Sequence, residues 1–335
     1  MIFSIVIPIY NAESTIRRCL ESVRQQRFKD YEVIMVDDGS SDGSENVCLA
    51  YVNQDERFKY FKCSNQGVSA ARNYGINQAR GEFIVFLDSD DIYYEEYLES
   101  FSILIKNYPK KNHYWCGIQY ISDCLEKNGR ELRYSSEETI VLSDRSQIMT
   151  LHQMMLDASP VNKVYRKQIL DEYCIRMNEE ISLGEDLIFN FDYLNCSCDT
   201  QIVIYNKANY GYYCFSQDSL SHCYRNDLLK IYQILLGTMY QYMIKWKLPE
   251  EQRRLFWNIA FYLYDTAMRN TFHVKNQKRF FQKIKSNNEI LKSKEFQQIL
   301  KKSTLSVNKM YQCLFKLKRY EVILVVDRIL KLRKR

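Results

Sequence analysis

The sequence predicts an α/β fold, a mostly parallel sheet flanked by helices, followed by an all-α C-terminal appendage. Three observations predict it. Short apolar runs alternate with helical spacing through the first hundred residues. Polar and acidic clusters close those runs at one end. Beyond residue 222, only Pro249 and Gly237 interrupt a long helical periodicity.

Phe3-Ser-Ile-Val-Ile-Pro-Ile9 is a continuous apolar run, the pattern of a strand buried on both faces. Ile16, Cys19, Leu20 and Val23 follow at i, i+3, i+4 and i+7, one face of a helix. Tyr31-Glu-Val-Ile-Met-Val36 reads as the second strand, and Asp37-Asp-Gly-Ser-Ser-Asp-Gly-Ser44 as a turn running into a helix. Phe58 to Phe61 is a short third strand, Ser69 to Gln78 a helix that stops at Gly81, and Phe83 to Leu87 a fourth strand ending in Asp88-Ser-Asp-Asp91. Repeated βαβ units require right-handed crossovers and a sheet covered by helices. Between 115 and 220, strand-like stretches (Cys116–Ile121, Gln201–Tyr205, Tyr210–Tyr213) alternate with helical ones and read as completion of the same domain.

Composition excludes several classes. With 335 residues, 46% hydrophobic, 27 Tyr and 17 Phe against 10 Gly and 4 Pro, the chain is neither disordered nor collagen-like. No apolar run reaches the roughly 18–20 residues of a membrane span. Phe3 to Ile9 lacks the basic flank and cleavage site of a signal peptide, so the expected location is the cytoplasm. The net charge of +6 divides unevenly: residues 1–220 carry 22 basic and 33 acidic side chains, residues 221–335 carry 25 and 8. That asymmetry suggests two units facing different partners. Eleven cysteines without a Cys-x-x-Cys pair read as reduced thiols, mostly buried.

In open α/β sheets ligands bind beyond the carboxyl ends of the strands. Here those ends carry Tyr10-Asn11, Asp37-Asp38 and Asp88-Ser-Asp-Asp91. Two carboxylates on one tight turn repel each other unless a cation lies between them, and hard oxygen ligands suit Mn²⁺ or Mg²⁺. The bland alternative is a solvated turn capping a helix. Asp38 could accept from a nucleobase or ribose, or serve only as turn former. Arg72 could neutralise a diphosphate, or decorate a helix surface. Glu185-Asp186 could supply a general base, or complement a helix dipole. His222 could ligate a metal or contact phosphate. No P-loop, no Gly-x-Gly-x-x-Gly and no Gly-x-Ser-x-Gly occurs, which removes the ordinary NTPase, dinucleotide and α/β-hydrolase readings.

Five motifs occur in order: Ser4-Ile-Val-Ile-Pro-Ile-Tyr-Asn11; Val36-Asp-Asp-Gly-Ser40; Asn65-Gln-Gly-Val-Ser-Ala-Ala-Arg-Asn-Tyr-Gly75; Gly81-Glu-Phe83; and Phe86-Leu-Asp-Ser-Asp-Asp91. Val161-Asn-Lys-Val-Tyr-Arg166 and Gly184-Glu-Asp-Leu-Ile-Phe189 follow. Together they resemble the family 2 glycosyltransferases of bacterial cell-surface polysaccharide synthesis, over roughly residues 3–222. The resemblance implies a GT-A fold over residues 1–222, with a nucleotide-binding half (1–110) and an acceptor half (111–222); residues 223–335 match none of its motifs and read as a basic helical region from their periodicity and charge. It implies that Pro8, Tyr10 and Asn11 border the nucleotide and that Asp38 accepts from its base. Arg72 would lie near base or diphosphate. Asp88 would contact ribose or the metal shell, and Asp90 would ligate Mn²⁺ or Mg²⁺ directly. Asp186 would be the catalytic base, Glu185 would lie close to the acceptor, and Asn162 and Lys163 would shape the acceptor site. The chain departs from the pattern after Tyr212-Tyr213, where Cys214-Phe215 stands in place of an Arg carried by many relatives; His222 is the candidate substitute.

The implied activity is an inverting, metal-dependent transfer from a nucleotide-sugar, commonly UDP-linked, to a hydroxyl of a glycan or lipid-linked glycan. A non-catalytic sugar-nucleotide-binding scaffold and an Asp-x-Asp phosphatase are the competing readings. The latter needs its motif on the first strand, and here the fourth carries it. Lys309 to Arg335 interleaves nine Lys or Arg with apolar residues. Such a helix can lie on an anionic membrane surface, making the enzyme peripheral on the inner face, or pack on the protein with a solvated basic rim. No nucleic-acid recognition motif is present.

Overall fold

The structure is a computed structural model; it describes residues 1–122, 130–196, 199–214, 224–304, 315 and 317–332. The chain forms two compact units, residues 1–219 and 220–335.

The first unit begins with β1 (Phe3–Ile9), α1 (Ile16–Arg24), β2 (Tyr31–Asp37), α2 (Ser44–Val52), β3 (Phe58–Lys62), α3 (Val68–Gln78) and β4 (Phe83–Phe86). All seven residues of β1 and of β2 are buried, as their unbroken apolar runs require when helices cover both faces. It continues through β5 (Ile92–Tyr93), α4 (Tyr97–Asn107), β6 (His113–Ser122), β7 (Glu131–Leu132), β8 (Thr139–Leu142) and α5 (Ile148–Gln153). It closes with β9 (Lys163–Arg166), α6 (Lys167–Glu172), α7 (Glu185–Cys196) and β10 (Ile202–Cys214).

Among the described residues these strands form one sheet in the order β3-β2-β1-β4-β9-β6-β10-β5, with β7 beside β6 and β8 beside β10. β3, β2, β1 and β4 are parallel to one another. β9 runs antiparallel between β4 and β6, so the sheet is mixed where repeated βαβ units alone would have kept it parallel. The two strand-like stretches at 201–205 and 210–213 are a single strand, β10. Its register against β6 shifts between Tyr205 and Ala208 and again before Tyr210. The turn-like Asn206 that separates them in sequence is buried and bonds outward, accepting from the Tyr134 and Ser135 amides.

One detail of β1 opens the site. Its pairing with β4 ends at Val6 opposite Phe86, whereas its pairing with β2 continues to Ile9. Pro8, which has no amide hydrogen, therefore falls where the β4 flank has already stopped.

The second unit is helical in its described residues: α8 (Leu228–Lys245), α9 (Glu250–Asn270), α10 (Phe280–Lys292), α11 (Lys294–Lys302) and α12 (Tyr320–Leu332). Leu228, Ile231, Leu235, Met239 and Met243 bury one face of α8, and Phe256, Ala260, Tyr264 and Ala267 one face of α9. Phe261, Phe296 and Phe315 cluster edge-on and tilted in the core. No described helix is long and apolar enough to cross a membrane.

Candidate active site

The carboxyl ends of β1, β2 and β4 converge through side-chain bonds to backbone. Asn11, in the left-handed region at φ 48°, accepts from the Ser41 amide (2.9 Å), and its own amide donates to Ser40 Oγ (3.0 Å). Tyr10 beside it is 55% exposed, while Pro8 is buried. The Asp38 carboxylate accepts from the amides of Gln66 and Gly67, both at 2.8 Å. Asp38 thus fixes the entry to α3, where Gly67 adopts φ 95°, a conformation that costs a side-chain-bearing residue dearly. Any nucleobase contact must use the remaining lone pairs of a carboxylate that is already doubly bonded and almost fully buried.

Arg72, on the inward face of α3, is the hub. Its Nη2 donates to Asp88 Oδ1 and its Nη1 to Asp186 Oδ1, each at 2.7 Å. The guanidinium is buried, flanked by opposite charges, and held in its charged form. One residue on, Asn73 pairs both ways with the Met177 backbone (2.9 and 2.8 Å) and donates to Glu179 Oε1 (2.8 Å). That ties down the segment leading into α7. Asp186 and Glu185 occupy the first turn of α7. Burial, reinforced by Glu185 and Asp88, pushes the Asp186 carboxyl up to about 7 despite the neighbouring Arg72.

The tip of β4 holds three carboxylates with different fates. Asp91 folds inward: its Oδ2 accepts from Tyr210 Oη (2.6 Å) and its Oδ1 from the Tyr213 amide (2.8 Å). Burial and the neighbouring Asp88 and Asp90 raise its pKa well above the usual range. Asp88 faces Arg72. Among the described residues no other side chain bonds the Asp90 carboxylate, whose pKa is raised by burial and by Asp88.

Asn162 and Lys163 lie in the interior of the first unit. Lys163 Nζ donates to the carbonyls of Leu156 (2.7 Å) and Ser159 (2.5 Å) and to Asn162 Oδ1 (2.7 Å). Burial lowers its pKa to about 7, yet all three ammonium hydrogens find acceptors. Asn162 Nδ2 donates to the Cys116 and Leu156 carbonyls. These two side chains shape the 156–159 loop from behind. His222 and Phe215 lie outside the described residues.

The sequence matches the family described as Glycosyl transferase family 2 over residues 4–174. The chain belongs to that family. As a family 2 glycosyltransferase it has relatives of differing reach. The putative glycosyltransferase EpsH of Bacillus subtilis (strain 168) is 27% identical over 332 residues, 96% of this chain and 92% of EpsH. Glycosyltransferase GlyG of Streptococcus pneumoniae serotype 4 is 41% identical over 100 residues, 30% of this chain and 33% of GlyG. Among solved structures, residues 1–349 of S. aureus TarS in complex with UDP align with a TM-score of 0.67 at 21% identity, covering 95% of this chain and 88% of that one. The same TarS segment in complex with UDP-GlcNAc gives 0.66 at 22%, covering 87% and 81%. The glycosyltransferase fold, GT-A with a C-terminal helical region, is thereby shared.

The donor set at the β4 tip fits a divalent cation. Asp90 offers a carboxylate that no described side chain engages, beside Asp88, and burial followed by that neighbouring charge raises its pKa. Among the described residues no group of three or more His, Cys, Asp or Glu forms a closed cage, so remaining positions would fall to water and ligand oxygens.

One residue of this family 2 site had no sequence signal. Arg18, on α1, donates from Nη2 to the Asp90 carbonyl (2.7 Å) and lies 3.5 Å over the Tyr213 ring. It joins α1 to the acidic turn and to the end of β10, a convergence that only the folded chain displays. A cavity of about 500 Å³ in the first unit, bounded by Tyr94, Gln119 and Lys207, contains none of these aspartates.

Proposed function

We propose that this glycosyltransferase moves a sugar from a UDP-sugar to a hydroxyl of a growing surface glycan, in one displacement that inverts the anomeric centre. The observation that carries the reading is the two-sided ion pair of Arg72, which keeps the acidic tip and Asp186 one guanidinium apart. The TarS structures, complexes with UDP and UDP-GlcNAc, support a UDP-linked donor. The likeness to EpsH, named a putative glycosyltransferase, runs nearly end to end.

In this reading residues 1–110 hold the nucleotide, with Tyr10, Asn11 and Asp38 at its border and Pro8 setting the strand end. Asp88 and Asp90 would hold Mn²⁺ or Mg²⁺ against the diphosphate. When bound, such an ion neutralises charge on the departing group. Arg72 supplies a fixed positive charge next to Asp88. On the other face of the sugar, Asp186 takes the proton of the acceptor hydroxyl. The acceptor oxygen forms its bond to the anomeric carbon as the bond from that carbon to the diphosphate oxygen breaks, and UDP leaves with the electron pair. Glu185 borders the acceptor, and Asn162 and Lys163 hold its loop. Residues 223–335 would bring the enzyme to the inner face of the membrane, where lipid-linked acceptors reside.

Asp186→Asn tests the base. Sugar transfer, followed as UDP release, should fall by about 10²–10⁴-fold while donor affinity persists. Wild-type product should show the inverted anomeric coupling by NMR. Full transfer by Asp186→Asn would remove the base from this scheme, and retained configuration would refute the single displacement.

A further inference from the structure

The helical unit contains a groove of its own. α8, α9 and α11 enclose a cavity of about 270 Å³, and a second of about 620 Å³ shares Tyr240 and Trp257 with it. We propose that this groove is a carbohydrate-binding site that takes a sugar unit of the acceptor glycan, an assignment of the ligand that rests on the glycosyl-transfer reading above.

Three observations support it. The wall is aromatic: the Tyr240 and Trp257 ring centroids are 5.9 Å apart, and Tyr240 is 38% exposed. A pyranose presents a face of C–H bonds that packs on such rings, while its hydroxyls require donors and acceptors around them. The groove provides these. Glu295 Oε2 accepts from Tyr264 Oη (2.7 Å) and Gln233 Nε2 (2.8 Å), so the carboxylate is oriented by neutral donors rather than by a cation, and Glu295 and Gln298 both border the same space.

Gly237 is the third. It lies inside α8, where glycine costs about 1 kcal/mol relative to alanine. Packing explains Gly75 of α3, where an added Cβ would meet Val6 Cγ1 at 2.3 Å. It does not explain Gly237, where a Cβ would meet no atom within 4 Å. Gly237 lines the cavity, and a missing side chain there lets a ligand approach the helix closely. A lipid chain would strip water from Glu295, Gln233 and Gln298 without replacing those bonds.

The test uses the full chain and three neutral tetrasaccharides, maltotetraose, cellotetraose and chitotetraose, titrated by tryptophan fluorescence and calorimetry. At least one should bind saturably with a Kd of about 1 mM. Trp257→Ala and Gly237→Leu should each weaken it by about tenfold or more. Gly237→Leu puts a good helix former into open space, so a melting temperature at or above wild type shows that lost binding is not lost folding. Absence of saturable binding by all three sugars, or unchanged affinity in Gly237→Leu, overturns the proposal. So does a Gly237→Leu effect confined to self-association or to vesicle binding, which would assign the groove to a second copy or a membrane. UDP-sugar hydrolysis in the same samples keeps the two readings apart. A protein that hydrolyses donor but ignores the sugars refutes the groove alone; one that binds them, with or without Asp90→Ala, but never turns over donor refutes the transfer reading alone.

Discussion

Asp186 keeps a quarter of its side chain open to solvent and still titrates high, because burial and the carboxylates of Glu185 and Asp88 outweigh the Arg72 contact. The sign of the consequence differs for stability and for catalysis. Its folded pKa of about 7 exceeds the ordinary 3.8, so folding takes up a proton between those values. That stabilising contribution is complete below the ordinary value and is lost as pH rises through about 7. Catalysis needs the other form: kcat/KM should rise with one ionisation near pH 7 and level off above it. A rate that does not change between about pH 5 and 8 would contradict the assignment of the base. At this scale the sequence was informative about identity and poor about reach. Asp88, Asp90, Arg72 and Asp186 stand out in ordered motifs, but nothing in their spacing says that one guanidinium joins residues 16 and 114 positions away. Arg18 is legible nowhere, since its partners are a backbone carbonyl and a ring on β10.

The elements that carry these residues depend on close approach. α3 lies against β1 through Gly75 and Val6, and Arg72 reaches the site because that contact is so tight. Gly75→Val should therefore destabilise the protein by about 1–3 kcal/mol, read from urea melts, and weaken donor binding at the same time. Unchanged stability would mean that α3 can shift without loss, against the packing seen here. Strands β1, β2 and β4 are legible in sequence because burial on both faces leaves an unbroken apolar run. β9 is not: only four residues long, it reads Lys163-Val-Tyr-Arg166, and its first side chain turns into the protein instead of toward solvent. β10 reads as two strands because its register shifts lie around Asn206 and Asn209, residues that otherwise mark a turn.

Across the whole molecule, charge divides into an acidic first part and a basic second part. If the basic residues meet lipid phosphate, the full-length protein should co-sediment with phosphatidylglycerol vesicles at low salt and release at high salt. Equal recovery with neutral phosphatidylcholine vesicles would contradict that. Charge division is visible in any sequence count, whereas the path of much of the basic run from Lys309 lies outside the described residues. The role of the acidic tip of β4 is read out by calorimetry of UDP binding with Mn²⁺ or with EDTA. Binding should require Mn²⁺, disappear in Asp90→Ala and survive in Asp186→Asn. UDP bound equally well by wild type and Asp90→Ala in EDTA would contradict that role.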